Sequence, residues 1–296
     1  VSSIGIATCA GVDTNPASRF VGANVDPDSP YLLDALAQGG LTAELVVWDD
    51  PSIDWERFDL TVVRSTWDYS SRRDEFLSWA KGVPRLLNPY DVLEYSSDKH
   101  YLEDLGAAGH RVVPSFFCDV GETPIFPSGD FVVKPCVGAG SIEAARYGPD
   151  QLEDAREHVR RLHEAWRDVL IQPYETSVDE KGERALVFID GEFSHAMTKG
   201  AMLNTPASER DSLFRLEQLS PAQVEHDALQ FGQRVLGDLE WDDLLYARVD
   251  IVRTESGWAL MELELVEPSL FLQFNEGAPE RLASAVARRL EGSARV

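Results

Sequence analysis

Short apolar runs alternate with amphipathic stretches over the first ninety residues of the chain. SIGIATC (Ser3–Cys9), AELVVW (Ala43–Trp48) and FDLTVVRS (Phe58–Ser65) each read as a strand, because each is a brief apolar or β-branched run bounded by turn residues. Between the first two, SPYLLDALAQGG spaces its apolar residues as a helix does, with Ser29 as the expected N-cap, Pro30 in the first turn and Gly39–Gly40 at the end. DEFLSWAK reads as a helix after the third strand. Alternating strands and helices predict a parallel sheet with helices on its faces. Ligands of such sheets gather at the carboxyl ends of the strands, which singles out RSTWDYSSR, directly after the third strand.

From near Tyr90 the pattern changes. A helix is expected over SDKHYLEDLGAAG, a strand over DFVVKPCVGAGS, a helix over PDQLEDAREHVRRLHEAW and a strand over DVLIQPYE. ERALVFID and EFSHAMTKG then form two strands joined by Asp190-Gly191, a dipeptide suited to a tight hairpin. AMLNTPASERDSLF is polar and aperiodic; a helix from Pro221 to Leu236, a hairpin and a last helix over PERLASAVARRLEG follow. No internal repeat or low-complexity segment interrupts this order. The expected class is α/β and strand-rich, with antiparallel hairpins confined to the second half.

The hairpin carries the most unusual pattern. In WALMELELVEP (Trp258–Pro268) the alternation puts Glu262 and Glu264 on one strand face and Leu263 and Leu265 on the other. One ordinary explanation is a solvated outer face. The preceding strand, Leu244 to Arg253, turns at Glu255-Ser256-Gly257 and pairs back, which sets Asp250 beside the glutamates. Three carboxylates on paired strands repel one another unless a cation lies between them. All-oxygen ligands favour Mg²⁺ or Mn²⁺, and Mg²⁺ is typically shared with substrate phosphates.

Bulk composition sharpens this picture at two points. The 296 residues suffice for two or three subdomains at roughly 100–200 residues each, and a hydrophobic content of 44% is ordinary. The formal charge is not: 27 Lys+Arg against 51 Asp+Glu leave −24, a field that opposes nucleic acid and anionic lipid, so no partner of either kind is expected. Any anionic ligand must be met by cations placed locally. Cys9, Cys118 and Cys136 show neither a CxxC zinc pattern nor a disulfide framework, which suits a reducing cytoplasm. No apolar run approaches the roughly 18 residues of a membrane span, and the first residues read as a strand rather than a leader. A soluble cytoplasmic protein, monomer or homodimer, is expected.

FVVKPCVGAGS ends an apolar strand in Lys134 and continues into a loop with Gly138 and Gly140, an arrangement that can aim an ammonium and backbone N–H groups at phosphate oxygens. It is no Walker A loop, because the lysine precedes the glycines. About forty residues on, LIQPYE ends in a corner able to offer backbone groups and a flat wall to a base. Each alone is equally a plain strand end. In order, Lys99 on a helix, Lys134, the glycine loop, the Gln172–Glu175 corner, Asp250 and the Glu262/Glu264 pair resemble the ATP-grasp superfamily, most nearly the group of glutathione synthetase and D-alanine–D-alanine ligase.

That resemblance implies an ATP-grasp fold: a Rossmann-like pre-grasp substrate domain over residues 1–90, a central subdomain over 91–174 and a C-terminal subdomain with the metal site over 175–296. It implies ATP and Mg²⁺ as cofactors, two ions being expected and Mn²⁺ acceptable. Lys99 and Lys134 would meet the α- and β-phosphates, and the loop Val137, Gly138, Ala139, Gly140 and Ser141 would cover them. Gln172, Pro173, Tyr174 and Glu175 would form the adenine hinge, Glu183 would take the ribose hydroxyls, and Asp250, Glu262 and Glu264 would hold metal. Arg248 matches the arginine that steadies the transferred phosphoryl group, and Lys199 a basic position near the γ-phosphate. The superfamily commonly has Asn where Glu264 stands, so Glu264 is either a ligand or a neighbour of the ligands. LVEPSLFLQ also departs from the substrate loop of the dipeptide ligases.

The reaction so implied is phosphorylation of a carboxylate by ATP and attack of a nitrogen on the acyl phosphate, in a site closed to water by a lid, for which GAMLNTPASERDSLF is the candidate. Arg64, Ser65, Thr66 and Asp68, with Glu267 and Ser269, are the candidate contacts of a small amino-acid-like carboxylate substrate; Arg64 paired with a local acid and Trp67 in the core is the competing arrangement. His100, His163 and His195 show no metal or triad spacing and read as structural. Over its whole length the chain is similar to small cyclo-ligases of the superfamily that close O-ureido-D-serine to D-cycloserine, which implies an intramolecular nucleophile. An intermolecular amino-acid ligase, an ATP-grasp kinase, a non-catalytic nucleotide-binding module and a ligand-binding protein without nucleotide are the rivals.

Overall fold

A computed structural model describes residues 2–14, 25–201 and 219–293, a mixed α/β arrangement of three sheets. The candidate lid lies, from Met202 onward, outside the described residues. The chain runs β1 (Ser3–Thr8), α1 (Ser29–Gln38), β2 (Thr42–Val47), β3 (Leu60–Val63), α2 (Arg73–Gly82) and β4 (Leu86–Leu87), then α3 (Tyr90–Ser96), α4 (Tyr101–Ala107), β5 (Phe116–Cys118), β6 (Phe131–Pro135), β7 (Ala145–Tyr147), α5 (Leu152–Glu164) and β8 (Val169–Pro173). It continues through α6 (Ser177–Lys181), β9 (Glu183–Ile189), β10 (Glu192–Lys199), β11 (Leu219–Ala222), α7 (His226–Gly237), β12 (Tyr246–Thr254), β13 (Gly257–Glu264) and α8 (Ala278–Ser293).

The first sheet, ordered β2-β1-β3-β4, is parallel throughout, as the βα alternation predicts. The second, β5-β8-β6-β7, is antiparallel, so antiparallel pairing begins earlier in the chain than the sequence pattern suggests. Its strands β5 and β7 have three residues each, too few to show a period. The third, β11-β10-β9-β12-β13, is also antiparallel. The β9–β10 turn is Asp190-Gly191 with φ of 56° and 77°, the left-handed pair that a two-residue hairpin needs.

Three sequence expectations shift. The N-cap of α1 is Asp28, one residue before Ser29, whose hydroxyl donates instead to Asp26 at 2.5 Å. Lys99 is not helical: it stands in the turn between α3 and α4, where the Asp98 carboxylate accepts the backbone N–H of His100 (3.1 Å) and so competes with helical hydrogen bonding. Residues 219–222 form an edge strand on β10, and α7 begins only at His226. Pro221, which lacks a donor, is tolerated at such an edge.

The first and third sheets share one core. Ile4, Leu32, Leu36 and Val62 from the first sheet and its helix share one apolar cluster with Val187 and Tyr246 of the third sheet and with Leu282 and Val286 of α8. The fully buried Asn88, just after β4, stitches the units at backbone level: its amide donates to Tyr246 O (3.0 Å) and Leu265 O (2.8 Å) and accepts from Leu245 N (2.7 Å).

His195, on β10, is buried, and its Nε2 donates to Leu270 O (2.8 Å). Burial holds its pKa down to about 4, so the folded chain keeps this imidazole neutral while the unfolded chain protonates it. The unfolded state therefore binds the extra proton below about pH 6.5, and stability is expected to fall by about 1.4 kcal/mol per pH unit from there down to about pH 4. Urea unfolding across that window checks it: His195→Gln, which keeps a donor for Leu270 O, should flatten the slope, and an unchanged slope would assign the acid sensitivity elsewhere.

Candidate active site

The sheets enclose a cavity of about 320 Å³. One wall is β6, with Val132 and Lys134, continued by Gly138, Ala139, Gly140 and Ser141. Gly140 and Ser141 have φ of 60° and 58°, so the loop turns sharply where it lines the cavity. The corner Gln172, Pro173, Tyr174 and Glu175 closes one end. There the Gln172 amide donates to Ser115 Oγ (3.0 Å), and the Arg146 guanidinium lies 3.6 Å from the Tyr174 ring centroid. The opposite wall is β13, from Met261 to Glu264.

The antiparallel register of β12 and β13 sets Asp250 opposite Glu262 and Arg248 opposite Glu264. Asp250, Glu262 and Glu264 each offer an oxygen within 4.8 Å of the others, while Leu263 and Leu265 are fully buried on the other face. Among the described residues four cations converge on the carboxylates. Lys134 Nζ is 2.8 Å and Lys99 Nζ 3.9 Å from Glu262, and Lys99 also donates to Gly138 O (3.0 Å). Lys199 Nζ is 2.8 Å from Asp250 and 3.1 Å from Glu183. Arg248 meets Asp250 through Nε (2.9 Å) and Nη2 (3.0 Å), and Nη2 also reaches Glu264.

The balance differs at each acid. Burial pushes Glu262 up, but Lys134 and Lys99 outweigh it and hold the carboxyl well below the usual range. Burial likewise raises Asp250, and Arg248 and Lys199 bring it below its ordinary value. Glu264 is pushed up to about 8: burial outweighs Arg248, and Asp250, Glu262 and Glu267 add to the rise. The rise at Glu264 expresses burial and the repulsion of the neighbouring carboxylates at the acid that Arg248 reaches through one nitrogen. Glu183 is raised by burial against the pull of Lys199.

The outer edge of β13 is tied by side chains that the sequence did not single out. Leu263 N–H donates to the Tyr101 hydroxyl (2.9 Å); Ser96 Oγ donates to Leu263 O (3.1 Å) and accepts from Leu265 N (3.0 Å). Beyond β13, residues 268–272 are pinned through the backbone. Arg64 donates to Pro268 O (2.7 Å), Arg248 to Ser269 O (3.1 Å) and His195 to Leu270 O, and Asp28 accepts from Leu270 N (2.6 Å) and Leu272 N (2.8 Å). Phe271, at φ 54°, thereby joins Ser269 and Gln273 in the cavity wall.

Of the expected site residues, the lysines, Gly138 to Ser141, the corner, Glu183, Arg248, Glu262, Glu264, Glu267 and Ser269 all line this cavity, and the buried Asp250 lies behind the glutamates. The loop after β3 needs correction. Arg64, Ser65, Thr66 and Asp68 do not line the cavity; Trp67 and Tyr69 do, and the Tyr69 hydroxyl is bonded to Glu267. Arg64 is 3% exposed and paired with Asp28 at 3.2 Å, Ser65 is bonded to Thr8 (2.8 Å) and Asp68 accepts from Trp48 Nε1 (2.8 Å). Val137 also lies outside the lining. The alternation of strand ends shows which loops reach a site; it does not show which side chain of a loop turns inward.

Residues 4–88 match the family model described as the N-terminal domain of D-cycloserine synthetase DcsG. The chain is 37% identical over 284 residues to the cycloserine biosynthesis protein DcsG of Streptomyces lavendulae, across 90% of this chain and 95% of that protein. The crystal structure of D-cycloserine synthetase DcsG superposes with a TM-score of 0.84 at 34% identity, covering 98% of this chain and all of the other. A D-alanine–D-alanine ligase from Bacillus anthracis shares the fold at a TM-score of 0.69 and 14% identity, over 99% of this chain and 98% of its own.

Tyr101→Phe leaves the buried Leu263 N–H without an acceptor, which is expected to cost about 1–3 kcal/mol of unfolding free energy. Urea denaturation of the two proteins measures the difference; equal midpoints would mean that β13 is held without this bond.

Proposed function

The chain belongs to the D-cycloserine synthetase family of ATP-grasp ligases, and on that premise we propose that it activates the carboxylate of O-ureido-D-serine with ATP and closes the molecule on itself to D-cycloserine. One observation carries the reading most: a three-carboxylate face and four cations meet at the wall of a single cavity that also has a glycine loop and a strand-end corner. Such a site suits a polyphosphate and a divalent ion together, where each neutralises charge that the other brings.

In this reading Lys99 and Lys134, freed from Glu262, contact the α- and β-phosphates beneath the loop Gly138–Ser141. The Gln172–Glu175 corner takes the adenine, and Glu183 the ribose hydroxyls. Asp250, Glu262 and Glu264 would hold Mg²⁺, as two ions or with Mn²⁺ in its place, the close approach of their oxygens fitting a hard cation. When bound, the metal supplies positive charge to the β- and γ-phosphate oxygens.

A substrate carboxylate oxygen attacks the γ-phosphorus, the bond to the β-phosphate oxygen breaks and ADP leaves. Arg248, held on Asp250 and Ser269 O, steadies the transferred group, with Lys199 beside it. The oxygen-bound ureido nitrogen then attacks the acyl carbon, the ring N–C bond forms as phosphate departs and the nitrogen gives its proton to solvent, and water cleaves the bond from that nitrogen to the carbamoyl carbon, releasing carbamic acid, which breaks down to CO₂ and ammonia. Both reacting groups belong to one molecule, so the site needs no second amine pocket. Glu267 and Ser269 bound the substrate end of the cavity; Arg64 acts behind them, through the backbone of residues 268–272. Among the described residues no helix is long and apolar enough to cross a membrane, and Cys9, Cys118 and Cys136 are free and buried, in keeping with a reducing cytoplasm.

Incubation with Mg·ATP and O-ureido-D-serine is expected to release ADP and give a product with the mass of the isoxazolidinone. ADP release only when two amino acids are supplied would replace the cyclase by an intermolecular ligase, and a stable phosphorylated product would replace acyl activation by a kinase reaction. Glu262→Gln should keep the circular dichroism of the parent and lose Mg²⁺-dependent turnover by about 100-fold or more, given the size of such electrostatic contributions. Undiminished turnover in that variant would remove Glu262 from the metal site.

A further inference from the structure

Beside the nucleotide cavity, and not part of its lining except through Lys99, lies a second group of ligating side chains. Asp98 and His100 flank Lys99 in the α3–α4 turn, and Cys136 follows Lys134 and Pro135 at the end of β6. One atom from each residue lies within 4.8 Å of the other two. We propose that Asp98, His100 and Cys136 form a binding site for a borderline-soft divalent metal ion, Zn²⁺ by chemistry, distinct from the all-oxygen site at Asp250, Glu262 and Glu264.

The donor set separates the two sites. A thiolate, an imidazole and a carboxylate select Zn²⁺ over Mg²⁺, and three protein ligands with one position left to water match an open zinc geometry. An Asp–His pair alone would only tie off the turn, with His100 Nδ1 2.6 Å from Asp98 Oδ1. The buried Cys136 sulfur faces that pair and adds the third ligand, while Asp98 and His100, with side chains 27% and 33% exposed, leave the site open to solvent on one side.

The surroundings supply what such a site requires around its ligands. With Nδ1, the nitrogen beside Asp98, as the ligand, His100 Nε2 lies 3.6 Å from Asp119 Oδ1, an ion-pair distance that sets a carboxylate behind the ring, where a small closure would give the hydrogen bond that orients a ligating histidine. The ring is further set by stacking on Phe117, with centroids 4.3 Å apart. Asp98, Asp119 and Asp168 make the field at His100 negative; burial lowers its pKa, yet these carboxylates raise it above its ordinary value, as they would favour any cation there. Burial holds the Cys136 thiol protonated, so metal binding releases its proton to solvent as the Cys136 sulfur–metal bond forms.

Occupancy would join the turn that carries Lys99 to the root of the glycine loop through a second link. The first is already present, Lys99 N–H donating to Cys136 O at 3.0 Å. The pattern was invisible in the sequence because His100 and Cys136 are far apart in the chain and show no metal-ligand spacing.

Titration of the full chain with Cd²⁺ in excess Mg²⁺, which keeps hard ions on the carboxylate face, is expected to raise a saturable thiolate-to-cadmium charge-transfer absorption that Zn²⁺ then abolishes. Cys136→Ser should remove the band, and Cys9→Ser and Cys118→Ser should keep it. Asp119→Asn should weaken Cd²⁺ binding by roughly 10–100-fold, as loss of a carboxylate behind a ligating histidine does. Should Cys136→Ser fail to fold by circular dichroism, His100→Asn answers the same question with the thiol intact, its expected outcome being loss of the band or affinity weaker by tenfold or more. Absence of the band in the parent protein, or a band unchanged in Cys136→Ser or His100→Asn, would overturn the site.

Discussion

Gathering three carboxylates onto one face of a strand pair is the constraint on which the rest of the structure depends. Two like charges about 4 Å apart repel by roughly 4 kcal/mol at an effective dielectric constant of 20, and burial adds a desolvation cost to each. Asp250, Glu262 and Glu264 incur this cost together. The fold offsets it with cations delivered from separate elements: Lys99 from the α3–α4 turn, Lys134 from β6, Lys199 from β10 and Arg248 from β12. In a chain of net charge −24 this is a local concentration of cations against the overall field.

The same constraint explains why β13 is held so firmly. As an edge strand it is paired on its outer side only by a bridge at Val112–Leu260 among the described residues, and a register slip of one residue would bury the glutamates and expose the leucines. Ser96, Tyr101 and Asn88 close the rest of that edge with side-chain hydrogen bonds, all three supplied by residues 88–101. The carboxylates thus owe their position to residues that never touch them. Residues 268–272 follow the same logic: Arg64 and Asp28 work from the first sheet, and His195 and Arg248 from the third. The shared apolar core of the first and third sheets keeps those anchors in a common frame.

The sequence pattern was informative wherever the period of the side chains itself carried the chemistry. The alternation in MELEL announces a two-sided strand whatever it packs against, and Asp190-Gly191 announces a hairpin, because both depend on backbone geometry within a few residues. It was weaker where a contact reached across the fold. Arg64 follows a strand end, as a ligand-binding residue often does, but its side chain is buried with Nη2 held by Asp28 and Pro268 O; Trp67 and Tyr69, a few residues on, face the cavity instead. Strands of three residues, such as β5 and β7, leave no period to read.

The sequence by itself determined the α/β class, the strand–helix alternation of the first ninety residues, the acidic strand face and the lysine that precedes a glycine loop, since local periodicity and composition specify these before any long-range contact forms. Only the tertiary structure decided which cation answers which carboxylate, how the edge of β13 is closed, which side chains of the RSTWDY loop face the cavity, and that Asp98, His100 and Cys136 stand together. The physical reason is range. Hydrogen bonds and ion pairs act over a few ångströms, and residues such as Lys134 and Glu262 come that close only when packing of the sheets brings distant segments into register.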